Sequence, residues 1–265
     1  MALPIENTSY LLRFHIIQVD AGGPICSVST MSGIFKLQCQ FDILDDRGNR
    51  VCVWGSGFLL AFEASGRRRK GILTCYHVMR MNNEWAPQNQ VKIMFEKAPN
   101  RSFILEQIAD PLTPPIFDAL YDFYYQEVNQ EFEQDVLRLK IKFLERRIGN
   151  LCFEQFYLVH YPNGGEQKVS IGKIVQQTDI STNYLLFSQA TTRSGSSGGA
   201  LIESHGDDGF VFAMHLGTNV EGTIDHSTLL ASIILKITSE NVEPLGILGH
   251  CAYSAQTLQS MHPYC

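Results

Sequence analysis

The chain has 265 residues, 45 % apolar and 18 % charged, with a net charge of −6 at pH 7. This profile suits a packed globular protein and excludes a disordered one. The negative balance excludes broad electrostatic binding to nucleic acid, which needs surplus Lys and Arg.

Between Met1 and Asp20, Arg13, His15, Gln18 and Asp20 interrupt the apolar residues. No signal peptide or membrane helix is expected there, and a cytoplasmic or nuclear location follows. Seven cysteines is an odd number, and none form a Cys-x-x-Cys pair. Free thiols are therefore expected, and the Cys and His residues lack the spacing of a zinc site, so neither metal nor other cofactor is expected.

Residues 1–33 read as an N-terminal extension. From 34 to 43 apolar residues partly alternate, Asp45–Asn49 offers turn chemistry, and Val51–Trp54 follows, so a β-hairpin is expected. Gly57–Phe62 and Gly71–Thr74 predict a second hairpin, with Arg67-Arg68-Arg69-Lys70 as its solvated tip. Short apolar runs recur at 91–95, 103–108, 136–141, 156–160, 168–175, 183–189, 200–203 and 210–216. Residues 111–134 stay open, because Ile116, Leu120, Phe123, Tyr124 and Val128 also fit a helical face. Glu145-Arg146-Arg147 reads as exposed linker and Asp207-Asp208-Gly209 as a hairpin turn. In 228–238, Leu229, Leu230, Ile233, Ile234 and Ile237 share one helical face, and Ser227 or Asp225 would cap that helix. Many short strands with Gly, Pro and Asn turns predict an all-β chain of barrels or a sandwich. Two modules are expected, 34–150 and 151–245, joined near 140–152, with a C-terminal helix and a tail at 246–265.

The strongest chemical signal is Gly195-Ser196-Ser197-Gly198-Gly199. A serine is a poor nucleophile until a base takes its proton. Flanking glycines let the backbone turn so that N–H groups converge, and the amides of Gly195 and Ser197 would form an oxyanion hole. Upstream, Gly55-Ser56-Gly57-Phe58-Leu59-Leu60 precedes Gly71-Ile72-Leu73-Thr74-Cys75-Tyr76-His77-Val78. A strand ending at His77 would hold an imidazole in a cleft, where it can act as a general base. Cys75 reads as a buried structural thiol.

These stretches resemble the trypsin-like, chymotrypsin-fold peptidases. "GSGFLL…GILTCYHV" looks like their first-barrel segment ending in the catalytic His. "TRSGSSGGALI" resembles their nucleophile loop, and "GFVFAMHLGT" the pocket strand after it. "TRSGSSGG" is also similar to the loop of picornaviral processing proteases, with Ser in place of Cys. The region from "YLVHYPNGGEQKVSIGKIV" through "DHSTLLASIILKI" resembles vertebrate nuclear trypsin-like proteases. The resemblance implies two six-stranded antiparallel β-barrels with a C-terminal helix, Ser197 as nucleophile, His77 as base, and protein or peptide substrates. Two residues compete for the acid that orients the His. Alternation of Leu137, Leu139 and Ile141 favours Asp135. The longer interval to Ser197, and "VLRLKI" as a further strand after the acid, favour Asp122.

The same resemblance gives Thr192 and His215 to the specificity pocket. A hydroxyl and an imidazole can both donate to a carboxylate or amide oxygen, so cleavage after Gln or Glu is expected. Secreted members carry an Asp just before the nucleophile that pairs with a freshly cut N-terminus. Ser196 is uncharged, so that switch is expected to be absent. Two other readings compete. An α/β-hydrolase esterase also uses Gly-x-Ser-x-Gly, but its elbow needs a helix after the serine. A decayed, non-enzymatic interaction module would be expected to have lost His77 or Ser197.

Overall fold

The computed structural model describes residues 16–20, 23–27, 38–45, 47–81, 84–96, 98–146, 155–177, 184–205, 208–219 and 222–239. Eighteen strands appear among these residues. They begin with β1 (Ile16–Asp20), β2 (Gly23–Ser27), β3 (Gln38–Leu44), β4 (Arg50–Ala64), β5 (Arg67–Thr74), and the small hairpin of β6 (Arg80–Met81) and β7 (Glu84–Trp85). Next come β8 (Val91–Phe95), β9 (Ser102–Ile104), β10 (Ile116–Asp118), β11 (Phe123–Glu127) and β12 (Leu144–Arg146). The remainder are β13 (Gln155–His160), β14 (Lys168–Gln177), β15 (Leu185–Gln189), β16 (Ala200–His205), β17 (Asp208–Thr218) and β18 (Asp225–Leu229).

In the first half the ladder runs β9-β8-β3-β4-β5-β11, and an Ala109–Val128 bridge brings its two ends together. In the second half β14-β13-β16-β17-β18 is closed by β15, which pairs with both β14 and β18. The result is the expected pair of six-stranded antiparallel barrels. Phe58, Leu59, Leu60 and Ala61 of β4 are all fully buried, as are Ile72 and Leu73 of β5. A single apolar cluster draws on both barrels, from Phe41 and Leu73 to Val159, Met214 and Ile233. Removing that much apolar area from water is the main stabilising term.

Several local expectations need correction. β2 pairs with β14, so part of the expected N-terminal extension joins the second barrel. Ser65 and Gly66, both at positive φ, make the tip of the β4–β5 hairpin, and the basic run lies on β5 itself. Arg69 there is buried and paired with Glu127, which β11 places opposite Gly71, two residues along β5. The run 136–141 is not a strand. Asn129 caps a helix, Gln130–Arg138, by accepting from the Phe132 amide at 2.9 Å, and Phe132 and Val136 face the core one turn apart. Glu145 and Arg146 are not linker but belong to β12, which lies parallel to both β4 and β17. Asp208 and Gly209 open β17, and Asp207 of that expected turn lies outside the described residues. The C-terminal helix spans Leu230–Ser239 and buries Leu230, Ile233, Ile234 and Ile237. Leu229, Ser227 and Asp225 belong to β18, so neither proposed cap serves that helix.

Candidate active site

β5 carries buried Ile72, Leu73 and Thr74 into Cys75 and ends in a turn of 3-10 helix, His77–Met79. Buried Val78 and Met79 anchor that turn. The β5–β11 register sets Tyr124 opposite Thr74, so Asp122, just before β11, falls beside Tyr76. The Tyr76 amide donates to the Asp122 carbonyl at 3.2 Å. Asp122 sits at φ 50°, a left-handed conformation that Asp tolerates better than most residues. Its Oδ1 accepts the His77 backbone N–H at 3.0 Å, and its Oδ2 lies 2.7 Å from His77 Nδ1. An ionised carboxylate only accepts, so Nδ1 carries the proton and Nε2 is the basic nitrogen. Burial alone would lower the His77 pKa. The charge and hydrogen bond of Asp122 outweigh it and hold the ring above its ordinary value. Asp135 is elsewhere: it lies on the Gln130–Arg138 helix and pairs with Arg101 and Arg138.

The Gly195–Gly199 loop is oriented by its carbonyls. In a trans peptide the C=O and the following N–H point in opposite directions. The Ser194 carbonyl accepts from the Asn163 amide at 2.6 Å, which turns the Gly195 N–H the other way. The Ser196 carbonyl accepts from the Gly199 amide at 3.0 Å, which does the same for the Ser197 N–H. Neither the Gly195 nor the Ser197 amide donates to a described residue. Gly195 holds φ 86°, and a β-carbon there would stand 2.6 Å from the Tyr161 carbonyl. Gly198 holds φ 84°, and a β-carbon would stand 1.9 Å from the Ser56 carbonyl, so both glycines are required. The Ser56 amide donates to the Ser197 carbonyl at 2.7 Å, tying the loop to β4. Ser197 Oγ donates to the Leu216 carbonyl at 2.8 Å.

Thr192 and His215 stand on the segments expected, one before the Gly195–Gly199 loop and one on β17. Their chemistry differs from expectation. Thr192 Oγ1 donates to Asp225 Oδ1 at 3.1 Å, so its lone pairs, not its proton, remain to meet a guest. Asp225 also accepts the Ala190 amide at 2.6 Å. It is 2 % exposed, and among the described residues no cation pairs with it. Burial pushes its carboxyl up to about 6, against the pull of those two hydrogen bonds. His215 is likewise 2 % exposed, and no described residue hydrogen-bonds its ring. Burial, helped by His160, His77 and His226, lowers it to about 3, so it stays neutral at working pH. Sequence reasoning missed the role of Asp225, because its position beside Thr192 depends on β18 pairing with β15 and β17.

No protein-family model and no curated protein sequence matches the chain. Solved structures do. The Rv3671c protease of M. tuberculosis in its active form matches with a TM-score of 0.55 at 15 % identity, over 94 % of this chain and 97 % of that one. The inactive form of its Ser343Ala mutant gives 0.53 at 14 %, over 88 % and 100 %. The serine endoprotease of Yersinia pestis gives 0.52 at 14 %, over 92 % and 69 %. The fold is chymotrypsin-like.

In this chymotrypsin-like frame an aromatic wall, unforeseen in the sequence, stands next to His77. Tyr76 meets Trp85 edge-on at 5.0 Å, and Trp85 lies 4.6 Å from Phe117. Both Trp85 and Phe117 are partly exposed. Cys75 Sγ, a ring nitrogen of His77 and a carboxylate oxygen of Asp122 lie within 4.8 Å of one another, the spacing of a metal cluster. Yet the Cys75 thiol donates to the His215 carbonyl at 3.2 Å, Nδ1 is committed to Asp122, and burial pushes the thiol pKa well up. Those commitments suit a structural thiol beside a His–Asp pair better than a cation site. No described helix is long and apolar enough to cross a membrane.

Proposed function

We propose that this chain is a serine endopeptidase acting on protein or peptide substrates, with Ser197 as nucleophile, His77 as general base and Asp122 as the acid that orients it. The observation that carries this reading is the 2.7 Å His77–Asp122 contact together with a loop whose Gly195 and Ser197 amides donate to no described residue, the two segments meeting at Gly55, which packs against both Val78 and the Ser197 carbonyl. In the reaction the Ser197 hydroxyl leaves the Leu216 carbonyl and turns to His77 Nε2, an adjustment common when substrate enters. Oγ attacks the scissile carbonyl, Nε2 takes the proton, and the oxygen that becomes negative is received by the two amides. His77 then protonates the leaving amine, and water repeats the cycle on the acyl-enzyme. An intracellular setting, with the likeness to viral processing and vertebrate nuclear enzymes, is part of the same reading. The buried free thiols of Cys39 and Cys75 suit a reducing compartment. The test is labelling with a fluorophosphonate: the wild-type chain should take one label on Ser197, read by peptide mass mapping. A chain that takes none would leave a non-enzymatic module as the better reading.

For specificity, the site favours Gln over Glu. A Gln amide can donate to the Thr192 lone pairs and accept from a neutral His215. A Glu carboxylate would meet those lone pairs and the buried Asp225 charge with no cation among the described residues paired there to compensate, and an unpaired buried charge costs several kcal/mol. Matched peptides differing only in Gln or Glu before the scissile bond should therefore differ by at least about tenfold in kcat/KM, or ~1.4 kcal/mol. Asp225→Asn should narrow that ratio. Equal rates, or a preference for Phe or Leu that survives His215→Ala, would refute this pocket chemistry.

A further inference from the structure

Behind the nucleophile loop lies a buried histidine that the proposed reaction does not use. His160, at the end of β13, is 0 % exposed, and Ser196, next to the nucleophile, is 1 % exposed. His160 Nδ1 is 2.7 Å from Ser196 Oγ, and Nε2 is 2.9 Å from Ser170 Oγ on β14. Ser170 Oγ lies 2.5 Å from the Thr191 carbonyl, and Ser196 Oγ accepts the Arg193 amide at 3.0 Å.

For a neutral imidazole, the form that full burial favours, hydrogen-bond complementarity leaves one assignment of protons. Two oxygens as close as Ser170 Oγ and the Thr191 carbonyl need a proton between them, and the carbonyl has none, so Ser170 is the donor. Having given its only proton, Ser170 must accept from His160, which places a proton on Nε2. Nδ1 is then the acceptor, and Ser196 donates to it. A single directed chain runs from the Arg193 amide through Ser196 to His160, and from His160 through Ser170 to the Thr191 carbonyl. It holds residues 191, 193 and 196 against two strands of the second barrel without any formal charge. Buried polar groups satisfied in this way fix one geometry, because any other leaves a group unpaired.

We propose that His160, as the neutral Nε2–H tautomer, is a positioning residue that holds the nucleophile loop in its oxyanion-forming shape through Ser196. It replaces with hydrogen bonds the charge pairing that the resembling secreted enzymes build at the position of Ser196. Burial supports the neutral form, lowering the ring to about 3. The inference rests on the endopeptidase reading for its catalytic consequence, but not for its structural one.

The test uses Ser196→Ala, which removes the donor to His160 and the acceptor for Arg193, and Ser170→Ala at the far end. On enzyme counted by active-site titration, Ser196→Ala should lower kcat roughly 10- to 100-fold, somewhat less than deletion of a whole oxyanion donor, with KM within about twofold. Affinity for a peptide boronic acid, which mimics the tetrahedral intermediate, should fall by the same factor as kcat. Ser170→Ala should act in the same direction, by roughly 2- to 10-fold. In the wild-type chain, 15N shifts of the His160 ring should report Nε2–H at neutral pH. An unchanged kcat per titrated site, a KM that rises as kcat falls, or an Nδ1–H or doubly protonated ring would each overturn the proposal. If the wild type takes no fluorophosphonate, the endopeptidase reading fails separately. The positioning role is then decided by amide exchange at Gly195 and Ser197. Exchange should be about tenfold faster in Ser196→Ala, and an unchanged rate overturns it.

Discussion

Ser197→Ala should lower peptide hydrolysis by on the order of a millionfold and abolish fluorophosphonate labelling, with the fold intact. The size follows from the way the groups act as a unit: without Oγ, the His77–Asp122 pair has no proton to take. What remains is catalysis by the amides of Gly195 and Ser197 on a bound substrate attacked by water. The fold survives because the Ser197 side chain makes a single hydrogen bond to a described residue, at 2.8 Å to the Leu216 carbonyl. Such a bond contributes about 1 kcal/mol net, or a few degrees in Tm for a chain of this size. The loop itself is held by Ser56, Asn163 and Gly199 through its backbone. Active-site-titrated kinetics and a melting curve check both halves. If Ser197→Ala still labels and Ser196→Ala does not, the nucleophile is the neighbouring serine.

Asp122→Asn should cost about ten-thousandfold in kcat, the known scale of an amide in place of a triad acid, whereas Asp135→Asn should leave the rate essentially unchanged. Asn is the clean replacement, because it tolerates the left-handed φ of 50° that Asp122 holds. The His77 amide, 3.0 Å from Oδ1, demands an acceptor there, so the Asn carbonyl takes that place. Its NH2 must then face Nδ1 across the position where Oδ2 lay at 2.7 Å. Facing a donor, Nδ1 gives up its proton to Nε2, which can no longer receive one from Ser197. The pH profile supplies an independent check. A general base works in its neutral form, so activity falls as pH drops through the His77 pKa. With Asp122 present that pKa is raised, and the acid limb lies above the ordinary imidazole value of about 6.5. In Asp122→Asn the attraction is gone, burial dominates, and the limb of the residual activity should move to lower pH. Asp135, on the Gln130–Arg138 helix, pairs with two exposed arginines, Arg101 and Arg138, so its replacement loses only partly exposed ion pairs of small value. The reverse ranking of the two variants would give the role to Asp135.

What was legible in the sequence is chemistry carried by neighbours in the chain. The turn Gly195–Gly199 announces itself because positive φ and close backbone approach require glycine whatever lies around it. The β5 strand into His77 was equally plain, since apolar residues end where the imidazole begins. Asp122 and Asp135 were hard to separate because the decision lies in whether Val136 alternates with its neighbours or pairs with Phe132 one helical turn away. Asn129 capping that helix was the local signal that could have settled it. Arg69 looked like part of a solvated tip because its partner, Glu127, is brought by a strand pairing far along the chain. Asp225 and His160 were opaque for the same reason. Their roles are set by cross-strand register, which no short window of sequence contains.

The short strand β12 has a mechanical consequence. Leu144 and Glu145 lie beside Leu60 and Ala61 of β4, while Glu145 and Arg146 lie beside Phe210 and Val211 of β17. One ladder therefore passes from the half that holds His77 and Asp122 to the half that holds Ser197. A hinge at that seam would have to break backbone hydrogen bonds on both sides of β12. The two halves of the molecule should therefore move as one stiff body, and fitting to a guest is left to exposed side chains such as Trp85 and Phe117 near Tyr76.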